Sequence, residues 1–547
     1  MRILLIGTLI IIAACTSAPD YDLIISNGKI YDGSGNPPID ADVAVSADTI
    51  AAIGDLSNAT AKLRIDVNGH AVAPGFINML SWANVSLIED GRSQGDIRQG
   101  VTLEVLGEGS SMGPLTDSMK VEIKERQNDI KYEIEWTTLG EYLQYLEDKG
   151  ISTNVASFVG NGTLRRYVIG YDNREATDEE IEQMRDLVRQ AMKEGAVGIS
   201  SSLLYAPSGS ANTEELIELA KVAAEYNGMY ISHIRNEGDY LLESIDELIE
   251  ISREAGISAE IYHLKASGQS NWSKLDLAIE KIQQARNDGL PITADIYTYP
   301  ASSTGLHIQL PIWVREGGVE ATIERLSDPS LRVRILNEIE FSTKPEDILL
   351  VGFKNQELRY HIGKRLSEVA EELDKSPGEV MIDLIVEDNS RIQVVYFSMS
   401  DENISKKVAL PWVSFCSDAG SFTNEGIFLK QSTHPRAYGS FIRVLGKYTR
   451  DESVLSLPEA IRKLTALPAK NLKIKKRGFL RPGNYADIVV FDPEEVMDVA
   501  TFENPHQYAK GVIHVWVNGE QVLNNGEHTG NTPGRFVKGP GWKEDMP

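Results

Sequence analysis

The sequence predicts an α/β protein: a (β/α)₈ barrel with insertions, joined to a small β-domain assembled from both chain ends. Three observations carry this. Apolar strands recur about every 30 residues through the centre, at Ala196–Leu204, Met229–Ile234, Ala259–Leu264 and Ile292–Tyr299, each followed by a helical pattern or turn. Repeated units of this kind make a parallel sheet with right-handed crossovers, and roughly 400 residues of them suit a barrel. No GxGxxG loop follows a strand, as a doubly wound sheet would usually show. Finally, short strands and tight turns concentrate at the two ends of the chain, leaving the centre as one continuous insert.

At the N-terminus, Arg2 precedes an apolar run from Ile3 to Ala14 that stops at Cys15. About a dozen apolar residues fall short of the roughly 20 needed to span a hydrocarbon core, so residues 1–15 read as an export signal. Ile12-Ala13-Ala14-Cys15 resembles a bacterial lipobox, implying cleavage before Cys15, lipidation of its thiol, and a protein tethered on the periplasmic or cell-surface side. Leu23–Ser26 and Lys29–Tyr31 flank Asn27-Gly28, a two-residue hairpin signal. Thr177 and Glu180 have capping-box spacing ahead of a helix that Gly195 ends. Asp239–Ala255 carries apolar residues at helical spacing and stops at Gly256. Residues 306–408 are polar and irregular by comparison, and read as an elaboration of the barrel that can cover the site. Near the C-terminus, Ala486–Phe491 is an apolar strand, and His514–Val517 with Gln521–Leu523 flank the turn Asn518-Gly519-Glu520. The expected division is a β-domain from residues 21–72 and 475–547 around a barrel of residues 73–474.

Composition narrows the chemistry. Of 547 residues, 42% are apolar and 24% charged, as in an ordinary globular protein. Lys plus Arg number 54 against 80 Asp plus Glu, a formal charge of −26 that phosphate backbones would repel. Nucleic acid is therefore excluded as a natural partner. The two cysteines, Cys15 and Cys416, lie far apart and build neither a disulfide framework nor a thiolate zinc site.

Active sites of parallel barrels lie at the C-terminal ends of strands, so polar residues there are informative. His233 ends one strand, and His263 with Lys265 ends the next. Asp295 leads to Tyr297 and Tyr299, and Asp418 ends a late strand at Val413–Asp418. A lone histidine in such a place is commonly a satisfied core group. Two of them on successive strands, at the same end, can approach one ion. Lys265 shares a strand face with His263, and Tyr297 shares one with Tyr299.

With these residues the chain resembles a known family. Its opening, Asp22 to Gly35, and Ala73-Pro74-Gly75-Phe76-Ile77 are similar to the amidohydrolase superfamily. Ser232-His233 through Gly238, Tyr262-His263-Leu264-Lys265, Ser417-Asp418 and His434-Pro435-Arg436 through Gly439 resemble the N-acyl-D-amino-acid deacylases (D-aminoacylases). The run Arg477–Asp492 is similar to that family's return to its β-domain. The resemblance implies a distorted TIM barrel with a small β-sandwich. The departures are pointed. Where the superfamily has Asp-x-His-x-His, this chain reads Asn78-Met79-Leu80-Ser81-Trp82. Where D-aminoacylases have a Gly-Asn-Cys-Gly turn, it reads Gly107-Glu108-Gly109-Ser110. Asn161 stands where histidine is common. The expectation is a divergent branch without the two-metal site.

Glu108 lies one position from the missing cysteine, and a carboxylate with two histidines is a sound zinc set that leaves a fourth position open. The alternatives are that Gly-Glu-Gly is only a tight turn, or that Glu104 is the ligand. With one divalent ion, expected to be Zn²⁺, on Glu108, His233 and His263, the resemblance implies amide hydrolysis of small N-acyl amino acids. Asp418 moves the proton. Arg436 binds the substrate carboxylate through its planar fork, and Lys265, Tyr297, Tyr299 and Ser303 are further substrate contacts. His434 is read as loop-shaping. Two other functions remain open: hydrolysis of another C–N bond (cyclic imide, hydantoin or dipeptide), or a non-catalytic lipid-anchored binding protein.

Overall fold

A computed structural model describes residues 19–544. The signal segment and Cys15 lie outside the described residues. The centre is a parallel barrel of Phe76–Asn78, Val101–Leu106, Asn154–Ser157 running on into Val159–Gly160, Gly198–Ser202, Met229–His233, Ser258–Ile261, Ile292–Ile296 and Val413–Phe415. Each pairs in parallel with its neighbour. The barrel closes where the Met79 N–H donates to Phe415 O at 3.2 Å and the Trp82 N–H to Ala419 O at 2.9 Å. Strands covered on both sides are mostly apolar, and Val101–Leu106 is buried at every position, its polar Glu104 taken up by buried hydroxyls.

The outer helices start and stop on local signals. Thr177 caps Asp178–Glu194 with both hydrogen bonds of the capping box, and Gly195 ends it at φ 114°. Leu241–Ala255 ends at Gly256, φ 63°. No helix among the described residues is long and apolar enough to cross a membrane.

Strands from both chain ends meet in one sheet. Ala71–Pro74 pairs with Ile488–Phe491 and Tyr21–Ile30, and Val512–Val517 with Glu520–Asn524 through the Asn518-Gly519 turn. Both of those turn residues have positive φ, 49° and 80°, as a two-residue hairpin requires. The expected hairpin at Asn27-Gly28 does not form. Only Asn27 has positive φ, 58°, so the chain bulges and Tyr21–Ile30 continues as one strand. Residues 533–539 leave this sheet and lie along the barrel, with Phe536 bridged to Val155.

The insertion is more regular than its polarity suggested. Ser302–Gly305, Ile348–Gly352 and Gln393–Tyr396 form an antiparallel sheet over a core of its own that includes Leu306, Ile348, Val380 and Val394. Its apolar residues are spread among short helices, which hid the periodicity. Asp401–Ala409 already belongs to the barrel's outer layer, burying Ile404 and Val408 in the barrel core.

Candidate active site

His233 is the last residue of its strand. His263 lies two residues past the end of the next, where φ of 34° turns it away from the strand path. That strained turn is held by Asp295, whose Oδ1 accepts the His263 N–H at 2.9 Å. Asp295 thus supports the site from behind. Glu108 sits between Gly107 (φ 99°) and Gly109 (φ 61°). A Cβ on Gly107 would fall 2.4 Å from Phe158 O, and one on Gly109 2.2 Å from the Ser202 Cβ. The Gly-Glu-Gly turn is therefore tight because it is wedged between neighbouring strands, and the same wedge aims Glu108 at the barrel axis.

Three donor atoms converge there. Glu108 Oε1 lies 3.1 Å from His233 Nδ1 and 3.0 Å from His263 Nε2, and the two nitrogens are 3.1 Å apart. All three residues are buried. The edge of a zinc tetrahedron with ligands at 2.0–2.1 Å is about 3.3 Å, so the spacing fits one ion. The donor chemistry fits as well. Two imidazole nitrogens and one carboxylate oxygen are a sound ligand set for zinc, and without an ion imidazole N–H groups donate to the carboxylate oxygen in its place. Burial would raise the Glu108 pKa, but hydrogen bonds from His233 and His263 outweigh it and hold the carboxyl below its usual range. Glu104, the other carboxylate considered, is buried among Ser81, Ser93 and Thr153, which donate to it at 2.6, 2.6 and 2.8 Å.

Glu237, to which the sequence pointed only as part of a longer motif, completes the histidine. Its Oε1 lies 3.1 Å from His263 Nδ1 and 2.6 Å from Lys265 Nζ. The outer nitrogen of His263 thus meets both that carboxylate and the Lys265 ammonium, 2.7 Å from Nδ1, while Nε2 faces the ion site. Burial opposes ionisation of Glu237, but the Lys265 charge, followed by the two imidazoles, holds it well below the carboxylate range. Lys265 is at the site, then, but as an ion-pair partner of Glu237 rather than a free cation.

Asp418, at φ 49°, faces the triad. The Trp82 indole N–H donates to both Glu108 Oε2, at 3.0 Å, and Asp418 Oδ1, at 3.1 Å. On the other side Arg436 Nη1 lies 2.8 Å from Asp418 Oδ2. This ion pair is misaligned for a hydrogen bond, and Arg436 Nε and Nη1 are buried without acceptors. The Tyr297 ring lies near two cations, 4.5 Å from the Arg436 guanidinium and 5.7 Å from Lys265 Nζ. Its hydroxyl is likewise buried and unpartnered.

Two expected contacts point elsewhere. The Tyr299 hydroxyl donates to Asp498 at 3.1 Å, beneath Arg443. The strand ends at Ile296, so the alternation that would place Tyr297 and Tyr299 on one face no longer applies. The Ser303 hydroxyl is spent inside the insertion's sheet, donating to Val394 O at 2.8 Å. Only its carbonyl turns toward the site, 3.4 Å from Arg436 Nη2. His434 shapes its loop, with Nε2 on Ala301 O at 2.9 Å and Nδ1 accepting the Arg436 N–H at 2.9 Å.

A buried histidine–carboxylate cluster at the strand ends of a closed barrel, with an aspartate opposite, defines an amidohydrolase-type hydrolase. The family model described as "Amidohydrolase family" matches residues 432–523. The D-aminoacylase of Alcaligenes xylosoxydans xylosoxydans is 34% identical over 527 residues, 94% of this chain and 97% of that one. A solved D-aminoacylase, described by one-metal activation and second-metal attenuation of a binuclear centre, superposes with a TM-score of 0.79 at 32% identity, covering 95% of this chain and all of the other. The N-acyl-D-glutamate deacylase of Bordetella bronchiseptica, solved with zinc and a phosphonate mimic of the tetrahedral intermediate, also gives 0.79, at 30% identity over 95% and 99%. The chain belongs to the D-aminoacylase family of amidohydrolases.

Proposed function

We propose that this chain is a divergent D-aminoacylase, without the Asp-x-His-x-His motif, that uses one zinc-like ion to hydrolyse N-acyl-D-amino acids to a carboxylate and a free D-amino acid. The observation that carries the reading is the convergence of Glu108, His233 and His263 within 3.1 Å, with Asp418 facing them. Glu108, His233 and His263 would hold a divalent ion, which would supply a Lewis acid for the attacking water and the scissile carbonyl. Asp418 accepts a proton from the attacking water and delivers it to the nitrogen of the leaving amine, so that amide plus water become carboxylate plus amine. Arg436, whose Nε has no acceptor and whose Nη1 meets only Asp418, binds the substrate carboxylate, and the unpartnered Tyr297 hydroxyl hydrogen-bonds the same group. Lys265 adds positive charge beside the Tyr297 ring. Residues 21–72 with 475–547 act as a β-domain that braces a catalytic barrel of residues 73–474, and a lipid on Cys15 tethers the exported enzyme to the membrane.

The test is metal analysis of chelator-free protein together with a panel of N-acyl-D- and N-acyl-L-amino acids. About one ion per chain and turnover confined to the D series are expected. Turnover of hydantoins or dipeptides alone would replace the substrate class. No ion and no turnover would make the chain a binding protein. Cys15→Ala should move the protein from the membrane to the soluble fraction; unchanged partition would refute the anchor.

A further inference from the structure

Trp82 occupies an unusual place for a large aromatic residue. Its ring is 39% exposed, while the N–H is the part directed inward, between two carboxylates. A residue kept for packing would bury the ring. Here the backbone fixes the indole: the Trp82 N–H bonds Ala419 O at 2.9 Å, the Ser81 N–H bonds Val105 O at 2.8 Å, and the Asp418 N–H bonds Leu80 O at 2.9 Å. The first barrel strand is thereby stitched to the strand that carries Asp418 and to the one that leads to Glu108.

The four carboxylate oxygens are divided without overlap. Glu108 Oε1 faces the two histidines and Asp418 Oδ2 faces Arg436, which leaves Glu108 Oε2 and Asp418 Oδ1 to the indole. Those last two oxygens share one N–H, 3.0 and 3.1 Å from the indole nitrogen, so they lie no more than about 6 Å apart. Two like charges at that distance in a buried site repel unless something positive stands between them. In a two-metal site a second cation would do this. At the other position of the motif, Leu80 is fully buried in the barrel core and offers no ligand atom.

We propose that the Trp82 indole N–H stands in for a second cation: it bridges the metal-binding carboxylate of Glu108 and the proton-carrying carboxylate of Asp418, and holds Asp418 in line with a single-ion site. Trp82 is a positioning residue acting through both carboxylates, and the proposal rests on the single-ion deacylase reading. It makes one-ion stoichiometry a property of the first strand, with the indole filling the space a second ion would need.

The test combines zinc stoichiometry by equilibrium dialysis with steady-state kinetics on an N-acyl-D-amino acid, using the full-length chain in detergent. Three variants are compared: Trp82→Phe, Trp82 replaced by the benzothiophene isostere in which sulfur takes the place of the N–H, and the double variant Leu80→His/Trp82→His. Wild type should hold one ion even in excess zinc. Trp82→Phe and the isostere should also hold one, with KM within about twofold and kcat lowered about 10- to 100-fold, the range for losing a hydrogen bond to charged partners. The double variant should take up a second ion. Wild-type kcat in the isostere would overturn the proposal, because the ring and not its N–H would then matter. A raised KM with unchanged kcat would also overturn it, by making Trp82 a substrate contact, as would a double variant that still holds one ion. A wild-type chain that holds no ion would instead bring down the deacylase reading beneath it. If Trp82→Phe fails to fold, the isostere, which keeps the ring's size, decides the question.

Discussion

Replacing Glu237 by glutamine separates two services that this carboxylate performs for the ion site. In the metal-free chain, burial and the Lys265 ammonium push the His263 imidazole down, and Glu237 with Glu108 outweighs them, raising its pKa to about 10. At pH 7 His263 is then a cation whose proton an incoming ion must displace. Three units between pH and pKa cost about 4 kcal/mol of binding, and apparent zinc affinity should rise roughly tenfold per pH unit from pH 7 to 9. Glu237→Gln leaves Glu108 alone against burial and Lys265, so most of that proton cost goes. The same change weakens the acceptor that orients His263, which by itself lowers affinity about 10- to 100-fold. Affinity at one pH mixes the two effects; its slope with pH does not. Competition with a chromophoric chelator should therefore give a climbing curve for wild type and a flatter one for Glu237→Gln. Calorimetry in buffers of differing ionisation enthalpy should count about one more proton released by wild type at pH 7.5. A wild-type affinity that is flat above pH 7 would refute the reasoning, since His263 would already be neutral before the ion arrives.

Three other outcomes follow from the same geometry. Asp418→Asn should keep its ion and lose about 10²- to 10⁴-fold in kcat, the usual worth of a proton-transfer group; loss of the ion along with activity would make Asp418 a ligand. Arg436→Lys, which keeps the charge but loses the fork, should raise KM for N-acyl-D-amino acids at least about tenfold with zinc content unchanged, and an unchanged KM would show that Arg436 serves only Asp418. The folded pKa of His263 lies above its unfolded value of about 6.5, so its contribution to metal-free stability is complete below that pH and is lost as pH rises through about 10. Thermal melts should show Tm falling across that window without zinc and holding steadier with it, whereas parallel curves would deny the pairing with Glu237 and Glu108.

The candidate metal set was legible in the sequence because polar residues at barrel strand ends interrupt apolar runs, as His233 and His263 do. Glu108 was legible as the one ionisable residue in a turn whose glycines leave it no other direction. Glu237 carries no such mark: it lies in the loop four residues past His233, in no periodic pattern, and only the fold brings it behind His263. Trp82 is hidden for a different reason: in a run compared with Asp-x-His-x-His it offers no ligand atom, although an indole has a donor at its edge. Tyr299 shows the limit of strand periodicity, which stops where the strand stops. Asn27-Gly28 shows that a hairpin signal and a bulge signal share the same residues until the next strand chooses a partner.

On the single-ion reading, the charges of the site balance. Glu108, Glu237 and Asp418 bring three negative charges, and Lys265 and Arg436 bring two positive ones, in one connected set of side-chain contacts; Asp295 meets His263 only through its backbone N–H and stands outside that set. With both histidines neutral as ligands, the set carries one negative charge. A single divalent ion turns this into one positive charge, which the carboxylate of an N-acyl amino acid neutralises on binding. A second divalent ion would leave two positive charges unbalanced beside Arg436 even with substrate bound, in a buried site where such an excess is costly. A neutral donor is therefore the better bridge between Glu108 and Asp418. The indole N–H provides a partial positive charge at the right place without adding to the net, and leaves Arg436 and the ion as the two attractions an anionic substrate meets.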